Sequence, residues 1–237
     1  MLRFDYLIFG DTGWGDELLI SSLMTIMVSL SAMWLGIFIA IFTTWAKISG
    51  NLILRLFANF YTTVIRGIPE LLVIYLIFFG SGASIMYLAK IFGYNGYIEL
   101  NAFTMGTISI GLISAAYSTE VFRGAYNIID KGQIEAAKTL GMSKFSIFYK
   151  VLAPQILKYA LPGLGNVWQI TLKDTALVSV TGLVEIMRQT RIASNVTHSP
   201  LTFILSAAIL YLILTTFSSK VFDKLEKYTN KNSLASQ

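Results

Sequence analysis

Four stretches of the chain contain no Asp, Glu, Lys or Arg and are long enough to cross a hydrocarbon core, which takes roughly 20 helical residues. They are Leu18–Ala46, Leu71–Ala89, Leu100–Thr119 and Ser199–Ser219. A fifth, Tyr159–Val184, is apolar except for Lys173 and Asp174. Without it, the connection between the third and last stretches would be far longer than a structureless loop normally is. Five membrane-spanning helices are therefore expected. The first apolar run is too long for a secretory signal and follows the acidic positions Asp5, Asp11, Asp16 and Glu17, so this helix is expected to stay in the protein. The stretch before it, with Gly10, Gly13 and Gly15, suits a short outer arm or turn.

An odd number of spans places the two ends of the chain on opposite sides. With the N-terminus outside, the inner segments hold Lys47 and Arg55, then Arg123, Lys131, Lys138, Lys144, Lys150 and Lys158, then Lys220, Lys224, Lys227 and Lys231. The outer segments hold only Arg3, Lys90, Arg188 and Arg191. Basic residues gather on the cytoplasmic side of membrane proteins, so the reading is N-terminus out and C-terminus in. No repeat or low-complexity segment interrupts the chain before the polar tail at 220–237, and residues 1–237 read as one transmembrane domain.

Composition agrees. Of the 237 residues, 55% are hydrophobic and 13% charged, about half the charge of a soluble globule. There is no cysteine and one histidine, His198, so thiolate chemistry, histidine metal clusters and a Ser-His-Asp arrangement have no basis here. No metal ligand set and no catalytic constellation is expected. The net charge of +5 comes from lysines and arginines between and after the apolar runs, not from a basic surface interleaved with stacking aromatics, which argues against nucleic acid. Trp45, Tyr61 and Tyr159 fall near span ends and read as interfacial anchors. Asn195-Val196-Thr197 fits a glycosylation sequon by chance.

The longest inner loop, about 124–158, is the most informative segment. Ile134, Ala137 and Leu140 recur at helical spacing, Gly141 suits the end of a short helix, and Ser143 can cap a second helix carrying Ile147, Phe148 and Val151. This is an amphipathic helix-turn-helix on the cytosolic face, suited either to lying on lipid or to docking another protein. Its order, Glu135-Ala136-Ala137, then Gly141, then Val151 and Pro154, resembles the signature loop of ATP-binding-cassette importer permeases. Val151 and Ala153 depart from the Ile and Leu usual at the end of that motif. Arg66-Gly67-Ile68-Pro69-Glu70-Leu71-Leu72, Ala115 to Gly124, Ala160 to Asn166 and Leu172 to Ser179 resemble further segments of its polar amino-acid branch. The wording is closest to the histidine, lysine-arginine-ornithine and opine importers.

The resemblance implies a complex of two permease chains, identical or related, two cytosolic ATPases and an extracytoplasmic solute-binding protein, in a bacterial inner membrane. It also implies a helix bearing Glu135, Ala136, Ala137 and Gly141 that docks on the ATPase. The sequence has no G-x-x-x-x-G-K-[ST] loop, so ATP and magnesium are expected on the partner ATPase, with no cofactor on this chain.

Charges at membrane depth are functional candidates. Glu70 follows a Gly67–Pro69 break in the helical pattern, which marks either a binding site in a broken helix or simply a helix start. For a basic amino acid or opine, Glu70 is the first pathway candidate and Glu120 the second, although Arg123 stands one turn from Glu120 and is positioned to pair with it. Arg66 is the candidate for an α-carboxylate. Lys173 and Asp174, adjacent and so on different helix faces, suit a gate or subunit seam. A gradient-driven secondary transporter or a channel is the alternative, but leaves the charged inner loop without a role.

Overall fold

A computed structural model describes residues 3–10, 13–94, 96 and 100–234. Their regular structure is entirely helical: a 3-10 turn (Phe4–Leu7), then α1 (Gly15–Ile48), α2 (Leu52–Gly67), α3 (Glu70–Ile91), α4 (Ala102–Ile128), α5 (Lys131–Thr139), α6 (Lys144–Ile147), α7 (Ala153–Val178), α8 (Ile186–Thr197) and α9 (Pro200–Leu234). Among the described residues, α1, α3 and α9 are long and apolar enough to cross a membrane by length and composition. α4 and α7, with 27 and 26 residues, are as long as a span requires.

Contacts fix the helix directions. Gly111 of α4 packs on Ala32 and Leu35, Ser114 on Gly36, and Glu120 binds Lys47, so α1 and α4 run parallel. α3 runs back between them: its start meets Tyr117, while Gly82 meets Leu100. Gly163 against Val121 and Gly106 against Val178 make α7 antiparallel to α4. Gln169 against Thr215 and Thr175 against Tyr211 make α9 antiparallel to α7.

Helices in lipid gain no hydrophobic energy from pairing, so they associate through small residues that let backbones approach. The α1–α4 contact follows this rule. A Cβ at Gly36 would lie 2.8 Å from Ser114 Oγ, and one at Gly111 would lie 2.9 Å from the Leu35 side chain. Buried hydroxyls in the first half of α1 are satisfied on their own helix: Ser22 donates to the Leu18 carbonyl and Ser29 to that of Thr25, both at 2.7 Å. Around this contact Val28, Ala32, Val73, Ile74, Ile110, Ile113, Val178 and Leu183 form one core. Met33, Ala160, Leu164, Val167, Trp168 and Leu172 belong to a second.

Several boundaries differ from those read off the sequence. The fifth apolar stretch becomes α7 six residues early, at Ala153 rather than Tyr159, where it continues without a break from a π-helical segment, Phe148–Leu152, that follows α6. It ends at Val178 rather than Val184, where a 3-10 turn leads to Gly182 at φ +98°. The inner loop is correspondingly shorter, since α4 continues to Ile128. An additional helix, α2, fills the stretch before the Gly67–Pro69 break. The polar tail continues α9 as helix to Leu234, and 235–237 lie outside the described residues.

The N-terminal arm is packed. The Arg3 N–H donates to Thr202 Oγ1 at 3.1 Å, and the Tyr6 and Trp14 rings rest 6.4 Å from Phe203. Its Asp11 lies outside the described residues.

Candidate functional site

The break between α2 and α3 places a polar cluster inside the bundle. Ile68, preceding a proline, is driven to extended backbone (φ −112°, ψ 153°), which stops α2 after Gly67. The Pro69 carbonyl then accepts from the Leu72 N–H at 2.9 Å and α3 begins, with Glu70 in its first turn where the helix dipole favours a carboxylate. The helix-start reading of Glu70 holds, and the same residue faces a polar neighbour. The Tyr117 hydroxyl donates to Glu70 Oε1 at 3.0 Å, and the Arg66 guanidinium sits 5.4 Å from the Tyr117 ring centroid.

Asp174 of α7 joins this group, close enough to feel the Glu70 charge and to act on Tyr117. Its Oδ2 is buried and has no hydrogen-bond partner among the described residues. Two carboxylates, one guanidinium and one phenol thus converge from α2, α3, α4 and α7, with Arg66 exposed and Glu70 and Asp174 half-buried. Lys173, on the neighbouring face, is exposed, and its charge acts on Asp174.

Glu120 lies one turn further along α4 and has different company. Its Oε1 binds Lys47 of α1, and its Oε2 accepts from Arg123 Nε at 2.9 Å and Nη2 at 2.7 Å. It ties α1 to α4 as an ion pair.

At the same end, α5 and α6 project from the bundle. Asp130 caps α5 by accepting from the Gly132 N–H, and Ser143 caps α6 through the Ser146 N–H. Gly141, at φ +74°, closes α5: its N–H reaches the Lys138 carbonyl and that of Met142 the Ala137 carbonyl, the paired bonds of a Schellman ending. Ala137 is buried against the bundle, whereas Glu135, Ala136 and Gly141 are exposed. Large apolar side chains also face outward, with Leu140 81%, Phe145 77% and Tyr149 67% exposed. Gln155 Nε2 of α7 donates to Gln133 Oε1 at 2.7 Å and fixes α5 to the bundle.

Sequence reasoning missed Glu185 altogether. This fully buried carboxylate caps α8, accepting from the N–H groups of Met187 (2.9 Å) and Arg188 (2.8 Å) and from the Tyr211 hydroxyl (3.0 Å). Tyr211 in turn meets Thr175 at 3.4 Å. The available signal was a carboxylate directly after the apolar Leu183-Val184, with a tyrosine inside the last apolar run. Tyr61 also departs from its anchor reading, because its hydroxyl is turned inward and donates to the Leu112 carbonyl at 2.6 Å. Trp45 and Tyr159 remain exposed, as anchors are. No group of three or more His, Cys, Asp or Glu suited to a metal occurs among the described residues.

A bundle of long apolar helices, with a charged cluster at a helix break and a capped helix pair projecting from one end, defines an integral membrane transport subunit. The chain belongs to the family of binding-protein-dependent transport system inner membrane components, whose pattern matches residues 32–228. It is 46% identical over 224 residues to the nopaline transport system permease protein of Agrobacterium fabrum, covering 94% of this chain and 95% of that protein. It is 36% identical over 215 residues to the histidine/lysine/arginine/ornithine transport system permease protein of Escherichia coli, covering 91% and 94%. The crystal structure of an amino acid ABC transporter with histidines superposes with a TM-score of 0.77 at 31% identity, over 91% of this chain and 95% of that one.

Proposed function

We propose that this chain is the permease subunit of an ATP-driven importer for basic amino acids or opines in a bacterial inner membrane. It crosses the membrane five times, through α1, α3, α4, α7 and α9, with the N-terminus outside. The helix directions support this orientation, because they gather Lys47, the lysine-rich α5–α6 segment and the C-terminal half of α9 at one end. The observation that carries the importer reading is the projecting α5–α6 segment. Its exposed Leu140, Phe145 and Tyr149, beside exposed Glu135 and Ala136, form a knob whose apolar surface calls for a protein partner.

That partner is a cytosolic ATPase, two copies of which bind ATP and magnesium and do the hydrolysis. A second permease chain and an extracytoplasmic binding protein complete the complex. Closure of the ATPases moves α5, and Gln133–Gln155 passes that motion to the base of α7. The solute follows the Arg66–Glu70–Tyr117–Asp174 cluster. Glu70 and Asp174 take a cationic side chain or ammonium and Arg66 takes an α-carboxylate by paired hydrogen bonds. Basic amino acids and opines are both named for the relatives and share those groups. Lys173, exposed beside Asp174, belongs to the gate or the seam with the second permease.

The test is to purify the tagged chain from its native membrane, identify what accompanies it, and measure ATP hydrolysis with binding protein and candidate solutes. An ATPase stimulated by binding protein loaded with a basic amino acid or opine is expected. A chain that purifies alone and takes up solute on an ion gradient overturns the reading.

A further inference from the structure

Arg66 and Glu70 stand four positions apart, the spacing at which opposite charges on an unbroken helix meet and pair. They do not pair here. No ion pair joins them among the described residues, whereas Glu120, one turn along α4 from Tyr117, binds both Lys47 and Arg123. Ile68 and Pro69 are both extended, with ψ 153° and 135°, so the turn of helix that would bring the two charges together is missing.

Tyr117 of α4 touches both instead. Its hydroxyl donates to Glu70 Oε1 at 3.0 Å, and the Arg66 guanidinium lies over its ring, 5.4 Å from the centroid and within reach of a cation–π contact. The ring is held from two sides. It packs against the apolar core around Ile110 and Ile113 and also against the one around Leu164 and Trp168. Ile65 and Ile68, on either side of Arg66, pack on the first of these cores. A ring fixed in this way leaves its hydroxyl little choice of position.

An ion pair between Arg66 and Glu70 would satisfy both charges inside the bundle and leave neither for a solute. Held apart, the guanidinium is free to take a carboxylate and Glu70 to take a cation.

We infer that Tyr117 is a positioning residue of the solute site. It is a spacer whose ring holds Arg66 and whose hydroxyl holds Glu70, so that the two opposite charges stay unpaired and meet the carboxylate and the cation of one zwitterionic solute. This rests on the proposed assignment of the cluster to the solute.

The test is equilibrium binding of radiolabelled arginine, and of citrulline as its uncharged isostere, to the assembled permease–ATPase complex with no binding protein added. Glu70→Gln is expected to weaken arginine roughly tenfold or more and to leave citrulline within about twofold. Normal arginine binding by Glu70→Gln would remove the cluster from the solute path, and the role of Tyr117 with it. Tyr117→Phe keeps the ring and loses only the hydroxyl. Arginine is expected to weaken about tenfold, the scale of one hydrogen bond to a charged group, with citrulline binding and Tm unchanged. Added to Glu70→Gln, Tyr117→Phe should cost nothing further, because a residue that acts through Glu70 then has nothing left to position. Tyr117→Leu removes the ring as well and lets Arg66 reach Glu70, so both solutes should weaken, each carrying the α-carboxylate that Arg66 takes. Three results overturn the spacer role while leaving the solute site in place. They are losses that multiply in the Glu70→Gln, Tyr117→Phe double variant, equal weakening of arginine and citrulline by Tyr117→Phe, and normal arginine binding by Tyr117→Phe where Glu70→Gln has lost it. Tyr117→Phe removes one oxygen atom, so these readouts stand even where Tyr117→Leu does not assemble.

Discussion

Glu185 and the Glu70–Asp174 pair are carboxylates inside one helical bundle, yet their surroundings differ in kind. Glu185 is wholly buried and accepts from two backbone N–H groups and the Tyr211 hydroxyl, so its charge is spread over donors fixed in the fold. Glu70 has one protein donor, Tyr117, and Asp174 has a buried oxygen with none among the described residues, while the two acidic groups lie close together. A buried charge persists where it is hydrogen-bonded or paired. Glu185 meets that condition alone and serves architecture, holding α8 to α9 across the end of α7. The Glu70–Asp174 pair does not meet it among the described residues, which is why the proposed function assigns the solute cation to it.

Five substitutions break or sharpen this contrast, in falling order of effect. Glu185→Leu leaves two N–H groups and a tyrosine hydroxyl unpaired in a buried setting and is expected to destabilise the complex by about 3 kcal/mol or more, seen as lost assembly or a lowered Tm. Transport normalised to assembled complex should be nearly unchanged. An unchanged Tm would remove Glu185 from its structural role.

Glu70→Gln and Asp174→Asn are expected to do the opposite. Loss of a charged hydrogen bond of about 1.5–3 kcal/mol predicts a fall in uptake of a basic solute of roughly 10- to 100-fold. Assembly should be normal, and Asp174→Asn should be neutral or slightly stabilising because like-charge repulsion is relieved. Uptake assays beside thermal unfolding check both, and a stability loss matching that of Glu185→Leu would sink the contrast.

Gly141→Asp tests the inner end. The left-handed conformation costs a side-chain residue about 1–2 kcal/mol, and the Schellman ending of α5 loosens. Solute-stimulated ATPase activity should uncouple from uptake while solute binding persists. Normal stimulation with normal uptake would contradict the docking role of α5.

The smallest effect is expected for Glu120→Gln. The glutamine amide oxygen still accepts from the buried Lys47 ammonium, and Arg123 is 44% exposed, a setting in which an ion pair contributes about 1 kcal/mol or less. Tm should fall slightly and uptake hardly at all. A loss of uptake on the scale of Glu70→Gln would return Glu120 to the pathway.

The amino-acid order by itself determined what hydrocarbon thickness and backbone geometry demand locally. It set the long apolar runs that became α1, α3, α4, α7 and α9, the break at Gly67–Pro69, the Gly141 stop and the Ser143 cap. Each depends on residues within a few positions of one another, so each is visible as spacing or as a residue type that alone fits a conformation. Only the tertiary structure decided who meets whom. Tyr117 reaches Glu70 across 47 positions, and Tyr211 reaches Glu185 across 26. Tyr61 turns inward to α4 rather than outward to an interface. No local period records these pairings, because they follow from helices running parallel or antiparallel after small residues such as Gly36 and Gly111 have let them close.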